Sequence, residues 1–176
     1  SFEATHCYDG PEHERNVMKR TSVKDMNCSV AQCLEVIGDW WTPLIVRDLL
    51  FGVGRFDEIQ ERLGISRNVL TQRLELLVEN GVVERQLYQD NPPRFDYVLT
   101  RKGRDLWFVI QAMKQWGDTW AAPDGPPIEL LHTTCDHVVT VVPSCSHCGE
   151  RLSVRDVRAV AGPGATDRSP LPAGRR

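Results

Sequence analysis

The sequence predicts an α+β fold that is mostly helical. Three observations carry this. Apolar residues recur at helical spacing in five stretches between Cys28 and Trp120. A pair of alternating segments, "VVERQLYQ" and "RFDYVLT", flanks the turn signal "DNPP". A cysteine- and histidine-rich stretch after residue 127 contains short extended runs around paired ligand-type residues.

Taken in order, residues 1–24 are polar and unpatterned and read as a flexible tail. Val30, Leu34 and Ile37 then stand at i, i+4 and i+7, and Gly38 ends that helix. Thr42-Pro43 is a start signal, with Thr42 as N-cap and proline at the first helical position. Ile45, Val46, Leu49 and Leu50 follow, closed by Gly52. A third helix covers "RFDEIQERLG", with Phe56, Ile59 and Leu63 on one side. The next, "GISRNVLTQRLELLVENG", opens on Ser66 as N-cap and carries Leu70, Leu74 and Leu77 as a core-facing stripe. Thr100 caps a long helix over 101–121, about 30 Å in length, whose face carries Leu106, Ile110, Met113, Trp116 or Gly117, and Trp120. "AAPDGPP" at 121–127 ends it and marks a boundary. A small module at 128–161 and a Pro/Gly-rich tail at 162–176, expected to be disordered, complete the chain.

Two short helices joined by a glycine-containing turn form a helix-turn-helix. With the hairpin behind it, the 25–122 region reads as a winged helix-turn-helix, a fold that presents a helix N-terminus to the major groove of DNA. The residues at that front match the chemistry. Arg pairs bidentately with guanine, and Asn or Gln with adenine. Arg67, Asn68, Thr71 and Gln72, with Ser66 at the cap, are candidates for bases or nearby phosphates, and Arg55, Arg73, Arg94 and Lys102 for the phosphate backbone. The whole chain carries a net charge of −3, and residues 55–104 hold nine basic against eight acidic side chains. Affinity for double-stranded DNA must therefore come from the sorting of charge by face. The competing reading is a winged helix used for protein contacts, with a merely solvated polar face.

Six cysteines stand at 7, 28, 33, 135, 145 and 148. The N-terminal stretch lacks a signal-peptide pattern and no apolar run approaches the length of a membrane span, so a reducing, cytoplasmic setting is expected, with thiols rather than disulfides. His132-x2-Cys135 and Cys145-x2-Cys148-Gly149 have the spacing of two knuckles around one tetrahedral zinc ion, as in a zinc ribbon, with His137 an alternative ligand. A small β appendage without metal is the alternative. The CxxC could instead serve thiol-disulfide exchange, but that chemistry sits at a strand-to-helix turn, whereas Cys145 and Cys148 lie between extended segments. Nucleophile-elbow and glycine-rich phosphate-loop patterns are lacking, so no enzyme is expected.

The combination "LEVIGDWW-T-LI-RDLLFG", "RF-EI", "GIS-NVLTQRL-LL-ENG", "PPR-DY-LT-KG" and a terminal "WG" resembles the HxlR-type bacterial transcription regulators, also described as a MarR/DUF24 group, over roughly residues 25–121. The resemblance implies a DNA-binding homodimer paired through the N-terminal helix and helix 101–121, reading a pseudo-palindromic operator. It also implies a role for Cys28, which lies where several such regulators carry a redox- or electrophile-sensing cysteine before the first helix, a position at which the helix dipole favours thiolate; a small buried structural residue is the alternative. Cys33 falls nearer the apolar face of that helix and reads as core. Asp39-Trp40 departs from the family pattern, where a small or basic residue is common.

Overall fold

A computed structural model of the chain describes residues 22–170. Cys7, most of the expected N-terminal tail and residues 171–176 lie outside the described residues. The elements are α1 (Ser29–Ile37), α2 (Thr42–Leu50), α3 (Phe56–Leu63), α4 (Arg67–Glu79), β1 (Val83–Asp90), β2 (Pro93–Leu99), α5 (Arg101–Asp105) and α6 (Trp107–Trp120).

The core gathers one stripe from each element: Ile45, Val46 and Leu49 of α2, Ile59 of α3, Leu70, Leu74 and Leu77 of α4, Val82 and Val83 at the start of the hairpin, Leu99 and Ile110. The three leucines of α4 are fully buried, as their spacing predicts. Between α3 and α4 the chain turns at Gly64, whose φ of 62° is the left-handed conformation that glycine adopts without a Cβ clash. Ile65 plugs this turn into the core, and the Ser66 hydroxyl accepts from the Val69 N–H at 3.4 Å. The helix-turn-helix is thus held by a buried turn residue and capped where the sequence predicts.

Two buried or half-buried carboxylates brace the helices. Asp48, fully buried on α2, accepts from Arg47 at 2.7 Å and from Arg62 of α3 at 3.2 Å. Asp39 takes the capping role expected of Thr42. Its Oδ1 accepts from the Trp41 and Thr42 N–H groups at 2.8 and 3.0 Å, and the Thr42 hydroxyl donates to its Oδ2. Thr42 is the first residue of α2 and wholly buried. A carboxylate at this position offers more acceptor capacity than a hydroxyl and suits the positive end of the helix.

The hairpin pairs β1 and β2 antiparallel from Val83↔Leu99 to Asp90↔Pro93, with a bulge between Leu87 and Gln89. A single bridge from Arg55 to Asp96, with the Tyr97 N–H donating to the Gly54 carbonyl at 2.8 Å, ties the start of α3 to this wing.

Three expectations change. The long helix over 101–121 is two helices, broken at Leu106, whose N–H bonds the Gly103 carbonyl in a tighter i−3 turn. The α1 stripe divides: Ile37 is buried, whereas Val30 is 67% and Leu34 47% exposed, and Cys33 is half-buried. Residues 162–170 form turns, and the Asn27 amide donates to the Gly164 carbonyl at 2.9 Å and to Thr166 at 2.7 Å, so this part of the tail lies against the start of α1.

Gly103 explains how closely α5 seats on the hairpin. A Cβ there would stand 2.2 Å from the Val82 carbonyl oxygen and 2.9 Å from Leu99 Cδ2. The collision involves backbone and core, which cannot yield cheaply. Gly103→Ala is expected to destabilise the domain by about 1–3 kcal/mol, read as a lower urea midpoint with unchanged slope.

Candidate nucleic-acid interface

With Leu70, Leu74 and Leu77 turned inward, the opposite side of the first two turns of α4 faces solvent. Arg67, Asn68 and Gln72 are exposed and Thr71 half-exposed. Arg67 is oriented without being sequestered. Its guanidinium lies 4.8 Å from the centre of the Phe56 ring, and Nη1 is 3.7 Å from Asp57 Oδ1, both partners being largely exposed. Such an ion pair contributes little net energy in water, so the arginine can exchange Asp57 for another anion at small cost.

A concavity of about 870 Å³ lies between the N-terminal ends of α3 and α4 and the wing. Arg55, Arg67, Thr71 and Arg94 line it together with Phe56, Tyr88, Phe95 and Tyr97. Arg55 is held over the Tyr88 ring at 5.1 Å, with Nε 3.7 Å from Asp96. Arg94 projects from the exposed wing tip, where the Gln89 amide donates to the Asn91 and Pro92 carbonyls at 3.1 and 3.3 Å and closes the turn. Asp57, Glu58 and Glu61 share the same hollow. The aromatic lining was not anticipated from the sequence, although the alternation of Phe95 and Tyr97 on β2 places both on one face.

Two basic residues expected at a phosphate backbone are engaged elsewhere. Arg73 lies on the flank of α4, its Nε 3.3 Å from Asp39 Oδ1. It links α4 to the carboxylate that caps α2. Lys102 donates from Nζ to the Asn80 carbonyl at 2.7 Å and so closes the C-terminal end of α4, about 20 Å along the helix from Arg67. A helix C-terminus attracts cations because its last carbonyls lack partners. Ser66 acts on its own helix. The residues brought together are therefore Arg55, Arg67, Asn68, Thr71, Gln72 and Arg94.

The hollow is concave and aromatic-lined, and it sets three arginines against three carboxylates beside a helix N-terminus. A family profile described as HxlR-like helix-turn-helix matches residues 36–125, which span the helix-turn-helix, the wing and α6. The chain belongs to the HxlR family. It is 44% identical over 137 residues to an uncharacterised HTH-type transcriptional regulator of Mycobacterium tuberculosis, Rv3095, which covers 77% of this chain and 87% of that one. The crystal structure of PA1607, described as a candidate transcription factor, superposes with a TM-score of 0.72 at 37% identity, covering 81% of this chain and all of that one. PA1374 of Pseudomonas aeruginosa, described likewise, gives 0.58 at 38% identity over 80% and 96% of the two chains. As an HxlR-family transcriptional regulator the protein is not an enzyme. Among the described residues no helix is long and apolar enough to cross a membrane.

The remaining candidate residues have definite positions. Cys28 is the N-cap residue of α1, half-buried, with an extended backbone (φ −147°, ψ 119°). In the C-terminal module His132 Nδ1 lies 3.3 Å from Cys135 Sγ. The backbone N–H of Cys148, then that of His147 and the Cys148 side chain, hydrogen-bond to Cys145 and hold its thiol below the usual cysteine range. Among the described residues no three His, Cys, Asp or Glu side chains form a group able to hold a metal ion, so the expected four-ligand cluster is not assembled.

Proposed function

We propose that this HxlR-family regulator binds a pseudo-palindromic operator as a homodimer, using Arg67, Asn68, Thr71 and Gln72 of each protomer for base edges and nearby phosphates and Arg55 and Arg94 for the backbone. The observation that carries this is the exposed front of α4 beside an arginine-bearing wing, on a scaffold that buries the same helix's leucines. Base contacts come from helix residues near the N-terminus, and backbone contacts from the wing fix register.

A second apolar face supports pairing. Val109, Met113, Trp116 and Trp120 fall at i, i+4, i+7 and i+11 along α6, and all are exposed, Trp116 by 65% and Trp120 by 74%. This is the seam of a helix that packs against a partner helix. The exposed Val30 and Leu34 of α1 add apolar surface of the kind that marks an interaction site. A two-fold axis through such a seam sets the two α4 fronts to face successive major grooves about 34–36 Å apart.

Cys28 gives this assembly a switch. An oxidant such as a quinone or hypochlorite withdraws two electrons as two Cys28 thiols of a dimer lose their protons and join, or an electrophile alkylates one thiolate. Either change alters the start of α1 beside the pairing surface, and with it the spacing of the recognition helices.

Four outcomes test the reading. Arg94→Ala should weaken binding to all duplexes alike and lower the salt slope by about one, measured by fluorescence anisotropy across a salt series. Arg67→Ala should instead cost about 1–3 kcal/mol on the selected site and relax one base-pair preference. Trp116→Glu should give monomers by light scattering and lose cooperative occupation of both half-sites. Cys28→Ser should remain bound under quinone or hypochlorite concentrations that release the parent protein; equal release of the two would remove Cys28 from the switch.

A further inference from the structure

The C-terminal module contains the same turn twice, thirteen residues apart. Bridges Leu131↔Val138 and Ser144↔Arg151 enclose loops of equal length. Inside the first, the His132 N–H donates to the His137 carbonyl and the Asp136 N–H to the His132 carbonyl, both at 2.8 Å. Inside the second, the Cys145 N–H donates to the Glu150 carbonyl and the Gly149 N–H to the Cys145 carbonyl, again at 2.8 Å. Asp136 and Gly149, at matching places, both adopt the left-handed backbone, with φ of 55° and 74°. Asp136 is the one non-glycine residue with positive φ among the described residues. The positions that coincide under this repeat are His132 with Cys145 and Cys135 with Cys148. Each turn therefore presents two soft ligands from an identical frame.

The spacing inside each turn suits chelation. Tetrahedral zinc, with sulfur at about 2.3 Å and nitrogen at about 2.0–2.1 Å, holds those two ligand atoms about 3.6 Å apart. His132 Nδ1 and Cys135 Sγ stand 3.3 Å apart before any ion is present. In the second turn, backbone N–H groups of His147 and Cys148 point at the Cys145 sulfur, the arrangement that supports a metal-bound thiolate.

The module also lacks another source of stability. No residue from 121 to 170 is buried, and Leu131, Val138 and Val154 are largely exposed. Two strict turns without a core need a cross-link to be worth their conformational entropy.

We propose that His132, Cys135, Cys145 and Cys148 bind one zinc ion, which draws the two turns together. The link at 139–143 is fastened to α6 where the Val141 N–H donates to Gln115 Oε1 at 2.9 Å, leaving the turns to close on either side of it. On binding, the three thiols give up their protons to solvent and His132 coordinates as neutral imidazole, so the filled site carries one negative charge.

The test uses the full chain, purified under reducing conditions without chelator, reconstituted with zinc chloride and desalted. One equivalent of zinc by atomic emission, and thiolate-to-metal charge-transfer bands when cobalt(II) is used instead, support the site. His132→Ala and Cys148→Ser should each weaken zinc binding by at least about 100-fold, while Cys33→Ser retains a full equivalent. Zinc below a tenth of an equivalent on the reconstituted parent protein overturns the proposal. So does full retention by both ligand variants, or a Cys145–Cys148 disulfide in the reduced preparation by mass spectrometry. Because zinc content is measured without DNA, its result is separate from that of the operator reading.

Discussion

Burial of Leu70, Leu74 and Leu77 decides most of what this molecule does. All three are wholly inaccessible, packed with Ile45, Val46 and Ile59. Each such side chain contributes about 1.5–3 kcal/mol on leaving water. That sum fixes the rotation of α4 about its axis, since turning the helix would expose leucine and bury charge. Once the rotation is set, the sides of Arg67, Asn68 and Gln72 that point away from the core have nowhere to go but outward. The exposed polar front of α4 is thus a consequence of packing on the far side of the same helix. Ile65 and the left-handed Gly64 carry the constraint back into α3, which is why the angle between the two helices is as well determined as the rotation.

Near-neutral charge and affinity for a polyanion are reconciled by how the acids are spent. The buried pairing of Asp48 with Arg47 and Arg62 and the half-buried pairing of Asp39 with Arg73 hold α2, α3 and α4 in place. Breaking either would strand a charge away from water, which is costly. The pairs at the concavity are of another kind. Arg67 and Asp57 sit 3.7 Å apart with both side chains largely exposed, whereas Arg55 lies 3.7 Å from an Asp96 oxygen that is itself buried; each arginine rests on an aromatic ring. The Arg67 contact orients a long side chain while costing little to replace.

The parts legible in the sequence were those where local chemistry has one solution. The cap at Ser66, the stop at Gly64, the leucine stripe of α4 and the hairpin of the wing follow from spacing and turn residues alone. Side chains that change partners over distance were not legible. Lys102 reads as a basic residue near a wing, and nothing in "LTRKG" says that its amine reaches the Asn80 carbonyl of another helix. Arg73 sits one residue from Gln72 yet points to Asp39, because successive residues on a helix diverge by about 100°. Thr42 and Asp39 both qualify as caps by type, and the carboxylate won since it reaches two N–H groups and the threonine hydroxyl at once.

Apolar periodicity has a further blind spot, seen at α1 and α6. It marks the faces that avoid water without saying whether the cover is the chain's own core or a second copy. On α6 the two kinds of surface interleave. Ile110 faces inward, while Val109, Met113, Trp116 and Trp120 form an outward row. A third side of the same helix, at Gln115, receives the C-terminal module through Val141. The inward side fixes α6 to the helical domain, the outward row stays exposed, and the module rests alongside through the Gln115 contact.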